Sequence, residues 1–110
     1  MLRTFITTSV FDKHWDALSL TDDNLQELQN FIMTNFFPGD IIKGTGGAIK
    51  LRWNLQNKGK RGGIRIIYAD IAHKEHTHLL LCYAKSKQED LTYKQKQQLK
   101  ALIKELYGEL

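Results

Sequence analysis

The stretch that decides the fold of this chain is GTGGAIKLRWNLQNKGKRGGIRIIY, at positions 44–68. Two apolar segments lie in it, separated by a basic and glycine-rich segment. In residues 49–54 every second side chain is apolar, and Lys50 and Arg52 alternate with them. A period of two predicts a strand with one buried face and one basic face. Residues 64–71 are apolar at nearly every position, which predicts a central strand covered on both faces.

The same region carries an unusual concentration of positive charge. Residues 41–69 contain no Asp or Glu, six of the eight glycines and seven basic residues, namely Lys43, Lys50, Arg52, Lys58, Lys60, Arg61 and Arg65. Clustered positive charges next to glycine-rich backbone are typical of a surface that binds a polyanion such as RNA. The lack of carboxylates argues against a two-metal nuclease site, because hard divalent cations need oxygen ligands. We therefore expect neither a metal ion nor a cofactor.

The rest of the chain predicts a small α+β protein. Its 110 residues are enough for a single domain with one core, spanning residues 1–110. The predicted elements have the order βααβββα, and short links between the last three strands favour an antiparallel sheet with helices packed on it. The first elements are a strand from Leu2 to Thr8, a helix starting at Ser9 and a second helix capped by Thr21. The buried stripe of the second helix consists of Leu25, Leu28, Ile32 and Phe36. Three strands follow, at 49–54, 64–71 and 78–85, and the last element is a helix that begins after Thr92.

Composition also bears on the setting of the protein. No apolar stretch approaches the roughly 20 residues that cross a membrane, and the first residues lack a secretory apolar region. The single cysteine, Cys82, sits in an apolar run and is expected to be a small core residue without reactivity. These features predict a cytoplasmic protein without membrane contact.

The basic residues of the strands predict a candidate site. Lys50 and Arg52 are two residues apart, so their side chains leave the same face of the sheet. If the next strand pairs antiparallel, Arg65 can lie beside them, on the face that also carries Ala69. The alternative is that Arg65 only marks the exposed start of its strand. Lys85 ends the following strand and could reach the same region.

Histidines and tyrosines offer further candidates. His73, His76 and His78 could be drawn as a metal cluster, but their position across a hairpin turn favours ordinary turn and strand surface. Tyr68 and Tyr83 are either interior or, for one of them, placed to stack on a base. The glycine-rich segments do not have the spacing of a nucleotide-binding phosphate loop.

The segments and their order resemble the RelE/ParE superfamily of small bacterial toxins, and most closely its HigB-like, ribosome-dependent members. The resemblance covers nearly the whole chain. Its most specific parts are GTGGAIKLR at 44–52, GKRGGIRIIY at 59–68, YAK at 83–85 and DLT at 90–92.

This resemblance implies a function. It implies cleavage of mRNA in the decoding site of the ribosome, without metal, by attack of a ribose 2′-hydroxyl on the adjacent phosphate. It implies Lys50 as candidate base, Arg52 as phosphate clamp, Arg65 as main transition-state stabiliser and Lys85 as a second cation or the acid. The expected RNA contacts are Lys43, Lys58, Lys60, Arg61 and Tyr68. It also implies a neutralising antitoxin that often binds DNA, so that operator DNA would be contacted only through the antitoxin.

Two points stay open at this stage. The segment after Lys85 lacks the arginine of the RelE pattern and has only Tyr93 as a nearby tyrosine, which leaves the acid unassigned. Two other functions also fit the sequence. One is ParE-like inhibition of DNA gyrase on the same fold, and the other is RNA binding without catalysis.

Overall fold

The protein is built around one mixed sheet with helices on both faces. A computed structural model describes residues 2–54 and 63–108, and over these ranges it has five strands and three α-helices. The strands lie side by side in the order β1-β5-β4-β3-β2. The elements are β1 (Thr4–Thr7), α1 (Ser9–Ala17), α2 (Asp22–Thr34), β2 (Asp40–Ile41), β3 (Ile49–Trp53), β4 (Ile64–Ile71), a short 3₁₀ turn (Ala72–Lys74), β5 (His76–Ala84) and α3 (Tyr93–Tyr107).

Strand pairing confirms the α+β class and corrects its detail. Strands β2, β3, β4 and β5 pair antiparallel, as the short links predict. Strand β1 runs parallel to β5, with Thr4 opposite His76 and Thr7 opposite Leu79. The expectation of a fully antiparallel sheet was therefore wrong. It rested on short connections, whereas β1 reaches its partner through most of the chain and is free of that constraint. The two-residue strand β2 was also not expected.

Each helix starts at a threonine that caps it. Thr21 and Thr92 form capping boxes, and the box of Thr92 with Gln95 confirms the predicted start of α3. In α1 the cap is Thr8 rather than the expected Ser9. Within the described ranges, no helix is both long and apolar enough to cross a membrane.

One face of the sheet is covered by α1 and α2. The rings of Phe11, Trp15 and Trp53 stack in series, with centroids 5.4 and 5.7 Å apart. Phe36 was expected on the buried stripe of α2 but is 80% exposed, because the helix ends at Thr34 before another turn can bring that side chain back to the sheet. The other buried residues of this layer include Leu28, Ile32, Leu51, Ile64, Ile66, Tyr68, Leu79 and Cys82.

The opposite face is covered by α3. Leu99 and Ile103 of this helix belong to one buried cluster with Ile67, Ala69 and Leu81 of the sheet. Strand β4 is therefore apolar and buried on both faces, as its sequence predicts. Because side chains alternate along a strand, Arg65, two positions before Ile67, also lies on the α3 face.

The edge strand β1 is tied to the sheet by a partly buried ion pair at its start. Arg3 donates through Nε and Nη2 to the carboxylate of Asp70, at 2.8 and 3.1 Å. Thr77 Oγ1 donates to the same carboxylate at 2.8 Å. The guanidinium of Arg3 also lies 5.1 Å from the ring centroid of Phe37. The Arg3–Asp70 pair thus joins the start of the chain to the hairpin of β4 and β5, and Arg3 also contacts the segment after α2.

The glycine-rich segment before β3 is closed by a buried threonine. Thr45 is fully buried; its hydroxyl donates to the carbonyl of Ile42 at 2.7 Å and accepts from the N–H of Ala48 at 3.0 Å. Gly46 has a φ of +77° and faces α3, where an added Cβ would lie 3.9 Å from Ile103. This segment therefore fixes where β3 begins, and with it the positions of the basic residues on that strand.

Candidate active site

A row of three polar side chains crosses the sheet at one end of the α3 face. In the strand register Arg52 of β3 lies opposite Arg65 of β4, and Arg65 lies opposite Tyr83 of β5. Lys50 is two residues from Arg52 and therefore leaves the same face. The three basic residues that the sequence predicted as one group are brought together in this way.

The two arginines of the row differ sharply in their contact with water. Arg65 is only 5% exposed, whereas Arg52 is exposed. Arg65 is therefore not the exposed start of its strand, and that alternative is excluded. The backbone just before it is fixed by Gly63, whose φ is +67° and where a Cβ would collide with the side chain of Asn54. The start of β4 thus holds a guanidinium in the low-dielectric edge of the core.

Asp90 adds one carboxylate to this basic face. Its Oδ1 lies 3.9 Å from Nζ of Lys50, in a loose pair with side chains 62% and 34% exposed. The same Oδ1 accepts from the backbone N–H of Leu91, and the carbonyl of Asp90 accepts from Nε2 of Gln88. Asp90 was not among the predicted site residues, because the carboxylate-free stretch at 41–69 lies far from it along the chain. Its position just before the cap of α3 was the available signal.

Tyr83 contributes a hydroxyl group to the same face. The residue is 5% exposed and its ring belongs to the core under α3. Within residues 2–54 and 63–108, this hydroxyl is the buried side-chain polar atom that lacks a hydrogen-bond partner. Burial raises the pKa of Tyr83, the charge of Asp90 raises it further, and Arg65 lowers it. The phenol is therefore neutral at neutral pH and has a proton to donate.

Of the other predicted basic residues, Lys85 and Lys43 lie in the part of the chain that the structure describes. Lys85 directly follows β5, and its backbone N–H donates to the carbonyl of Gly63 at 3.4 Å. Its backbone is therefore held beside the start of β4, two residues from Arg65. Lys43 is exposed in the turn after β2. Three predicted RNA contacts, Lys58, Lys60 and Arg61, lie outside the residues that the structure describes.

Tyr68 is the one predicted site residue that the structure contradicts. It is fully buried on the α1–α2 face, on the other side of the sheet from Arg65. Its hydroxyl donates to the carbonyl of Pro38 at 2.6 Å, and burial raises its pKa. The prediction that Tyr68 contacts RNA was wrong, because the alternation of side chains turns it into the core.

Histidine and cysteine side chains form no second site in the parts of the chain that the structure describes. No group of three or more His, Cys, Asp or Glu residues there could hold a metal ion. The rings of His76 and His78 meet edge to face at 5.8 Å, and His73 stacks on Tyr107. Cys82 is fully buried, and burial raises its pKa to about 12, which leaves the thiol unreactive as expected.

Fold and basic face together define a small α+β protein of the kind that the sequence resemblance implied. A family model described as "RelE toxin of RelE / RelB toxin-antitoxin system" matches residues 2–109. This match covers nearly the whole chain. The chain therefore belongs to the RelE toxin family, which confirms the RelE/ParE resemblance, and it is a toxin of a toxin–antitoxin system. Membership implies an antitoxin as its partner.

Proposed function

We propose that this toxin is a HigB-like mRNA endonuclease that cuts mRNA on the ribosome without a metal ion and so inhibits translation. Family membership supports the toxin class. The observation that carries the proposal is the placing of Arg52 directly opposite Arg65, with Lys50 on the same face. Like charges directly opposite each other destabilise a sheet. A phosphate group bound on this face would be attracted to both arginines at once.

RNA supplies its own nucleophile, so the protein needs only to manage charge and protons. The 2′-oxygen of a ribose bonds to the adjacent phosphorus, the bond from phosphorus to the 5′-oxygen breaks, and a 2′,3′-cyclic phosphate forms. The 2′-hydroxyl proton goes to a base, and the departing 5′-oxygen receives a proton from an acid. Arg65 stabilises the charge on the phosphorane, Arg52 clamps the phosphate, and Lys85 is the second cation or the acid.

Two groups on the basic face can take the 2′-hydroxyl proton. Lys50 is the base that the family resemblance implies. The carboxylate of Asp90, 3.9 Å from Nζ of Lys50, is the second candidate, because an ionised carboxylate is a proton acceptor. Replacing the residue that acts as the general base removes the limb of the pH–rate profile that reports the deprotonation of that base. Comparing the profiles of Lys50→Met and Asp90→Asn therefore decides between the two.

The remaining partners follow from the same proposal. Lys43 binds RNA, and Lys58, Lys60 and Arg61 contact ribosomal RNA; these interactions weaken as the salt concentration rises. The antitoxin neutralises the toxin in the cytoplasm and carries the DNA-binding function, so the toxin reaches operator DNA only through it.

Primer extension on a defined mRNA, with and without programmed ribosomes, tests the proposal. The purified toxin, its Arg65→Ala variant and a Lys13→Ala control, which removes an exposed charge from α1, are compared. We expect cuts that require the ribosome, that vanish in Arg65→Ala and that persist in Lys13→Ala. Absence of cuts by the unaltered toxin would contradict the proposal. Trapped DNA breaks with gyrase would then favour the ParE-like activity, and intact RNA binding alone would favour a non-catalytic binder.

A further inference from the structure

The hydroxyl of Tyr83 is a buried donor without a partner among the described residues. A polar atom that loses water on folding and gains no hydrogen bond destabilises the folded protein. Such atoms are rare in native proteins, and each one calls for a physical reason. The ring alone would fill the same space in the core, and phenylalanine would supply it without this cost.

Its position in the sheet suggests the reason. Tyr83 is the direct neighbour of Arg65 on the adjacent strand, in the row that continues to Arg52. The other tyrosine of the central strands, Tyr68, has its hydroxyl satisfied by the carbonyl of Pro38. The unsatisfied hydroxyl is therefore the one on the face that holds the two arginines.

A phosphate group is the ligand that suits this arrangement. Its non-bridging oxygens accept several hydrogen bonds at once. The two guanidinium groups supply only donors, and the neutral phenol beside them adds one O–H donor. Asp90, whose charge raises the pKa of Tyr83, is 62% exposed and only loosely paired with Lys50. Breaking this loose contact to admit a phosphate therefore costs little.

We propose that Tyr83 is a further catalytic residue of the toxin, and that its hydroxyl donates a hydrogen bond to the phosphoryl group that Arg65 binds. This inference rests on the proposed RNA cleavage. The bond strengthens as negative charge grows on the phosphorane, so it acts mainly on the chemical step. The hydroxyl has no partner to lose among the described residues, and its removal should therefore leave folding intact.

Single-turnover cleavage of mRNA on programmed ribosomes by Tyr83→Phe tests the inference. Tyr107→Phe is the matched control, because Tyr107 packs against the same core at the far end of α3. We expect Tyr83→Phe to lower the cleavage rate roughly 10- to 100-fold, the range for a hydrogen bond to a charged group. Its Tm should equal or exceed that of the unaltered toxin, and Tyr107→Phe should cleave at the normal rate.

Two results overturn the inference while the proposed function stands. One is cleavage by Tyr83→Phe at the rate of the unaltered toxin. The other is a clear fall in its Tm, which would mean that the hydroxyl is already satisfied in the free protein. If the unaltered toxin makes no cuts with ribosomes present, the proposed function fails and this inference fails with it.

A binding measurement separates substrate contact from a structural role. An oligoribonucleotide with 2′-O-methyl groups cannot be cut by 2′-hydroxyl attack, so its effect on Tm reports binding alone. We expect it to raise the Tm of the unaltered toxin more than that of Tyr83→Phe. Equal increases together with equal cleavage rates would show that the hydroxyl never meets the phosphate.

Discussion

The different burial of the two arginines makes a quantitative prediction about cleavage. Arg52 and Arg65 lie directly opposite each other on one face, so both can reach the same phosphate group. Arg65 is 5% exposed and Arg52 is exposed. If charge stabilisation drives the reaction, replacing Arg65 by alanine should therefore harm cleavage far more than replacing Arg52.

The size of the difference follows from Coulomb's law. A unit charge 4 Å from a phosphate oxygen contributes about 1 kcal/mol in water and about 4 kcal/mol at the effective dielectric constant of a partly buried site. The first value corresponds to roughly a fivefold loss of rate in Arg52→Ala. The second corresponds to a loss of several hundredfold in Arg65→Ala, which is within the range for a preorganised transition-state donor. The two variants should thus differ by about 100-fold.

The assay is single-turnover cleavage of a defined mRNA on programmed ribosomes, with toxin in excess. Circular dichroism and antitoxin binding establish that both variants are folded. Arg65→Lys is the informative third variant, because it keeps the charge and loses the planar fork of donors, so its rate should lie between those of the unaltered toxin and Arg65→Ala. A loss in Arg52→Ala equal to or greater than that in Arg65→Ala would refute the dielectric argument.

Three further predictions concern stability. Tyr68→Phe should lower the free energy of unfolding by about 1 kcal/mol, because the carbonyl of Pro38 loses its donor. Urea titration checks this value, and a large loss of cleavage in the variant would contradict the core position of Tyr68. Asp70→Asn should lower Tm more than Asp90→Asn, because Asp70 accepts partly buried hydrogen bonds from Arg3 and Thr77 whereas Asp90 is 62% exposed; equal shifts would count against it. Burial lowers the pKa of His78 from 6.5, so the folded state binds this proton less readily than the unfolded state, and stability should fall as pH drops below about 6.5. Thermal melts over this range should show a weaker fall in His78→Gln, and an unchanged slope would exclude the histidine as the cause.

The sequence predicted the basic face well because one periodicity fixes it. Alternation along 49–54 places Lys50 and Arg52 on one side, and antiparallel pairing brings Arg65 beside them. The same rule puts Tyr68 on the opposite side from Arg65, since the two residues are three positions apart along the strand. The expected RNA contact of Tyr68 therefore conflicted with the pattern itself, and a stricter use of the period would have excluded it.

Other features depend on contacts that no local pattern contains. The parallel pairing of β1 with β5 joins residues 4–7 to residues 76–79, and the sequence between them carries no signal of direction. Asp90 reaches Lys50 only because α3 folds back over the sheet. The unsatisfied state of the Tyr83 hydroxyl can be recognised only once its neighbours are known in space. Such long-range contacts limit what sequence reasoning alone could assign to the site.

The features of the described residues that do not favour stability lie together at one place on the sheet. Among the residues that the structure describes, the other buried side-chain polar atoms have hydrogen-bond partners, as do the hydroxyls of Tyr68 and Thr45. On the α3 face, two like charges lie directly opposite each other and a buried hydroxyl beside them lacks a partner among the described residues. Stability alone does not explain these features, because phenylalanine would fill the position of Tyr83 without an unsatisfied hydroxyl. Their occurrence in one row is therefore best explained by a ligand that accepts hydrogen bonds and carries negative charge, as the phosphate of RNA does.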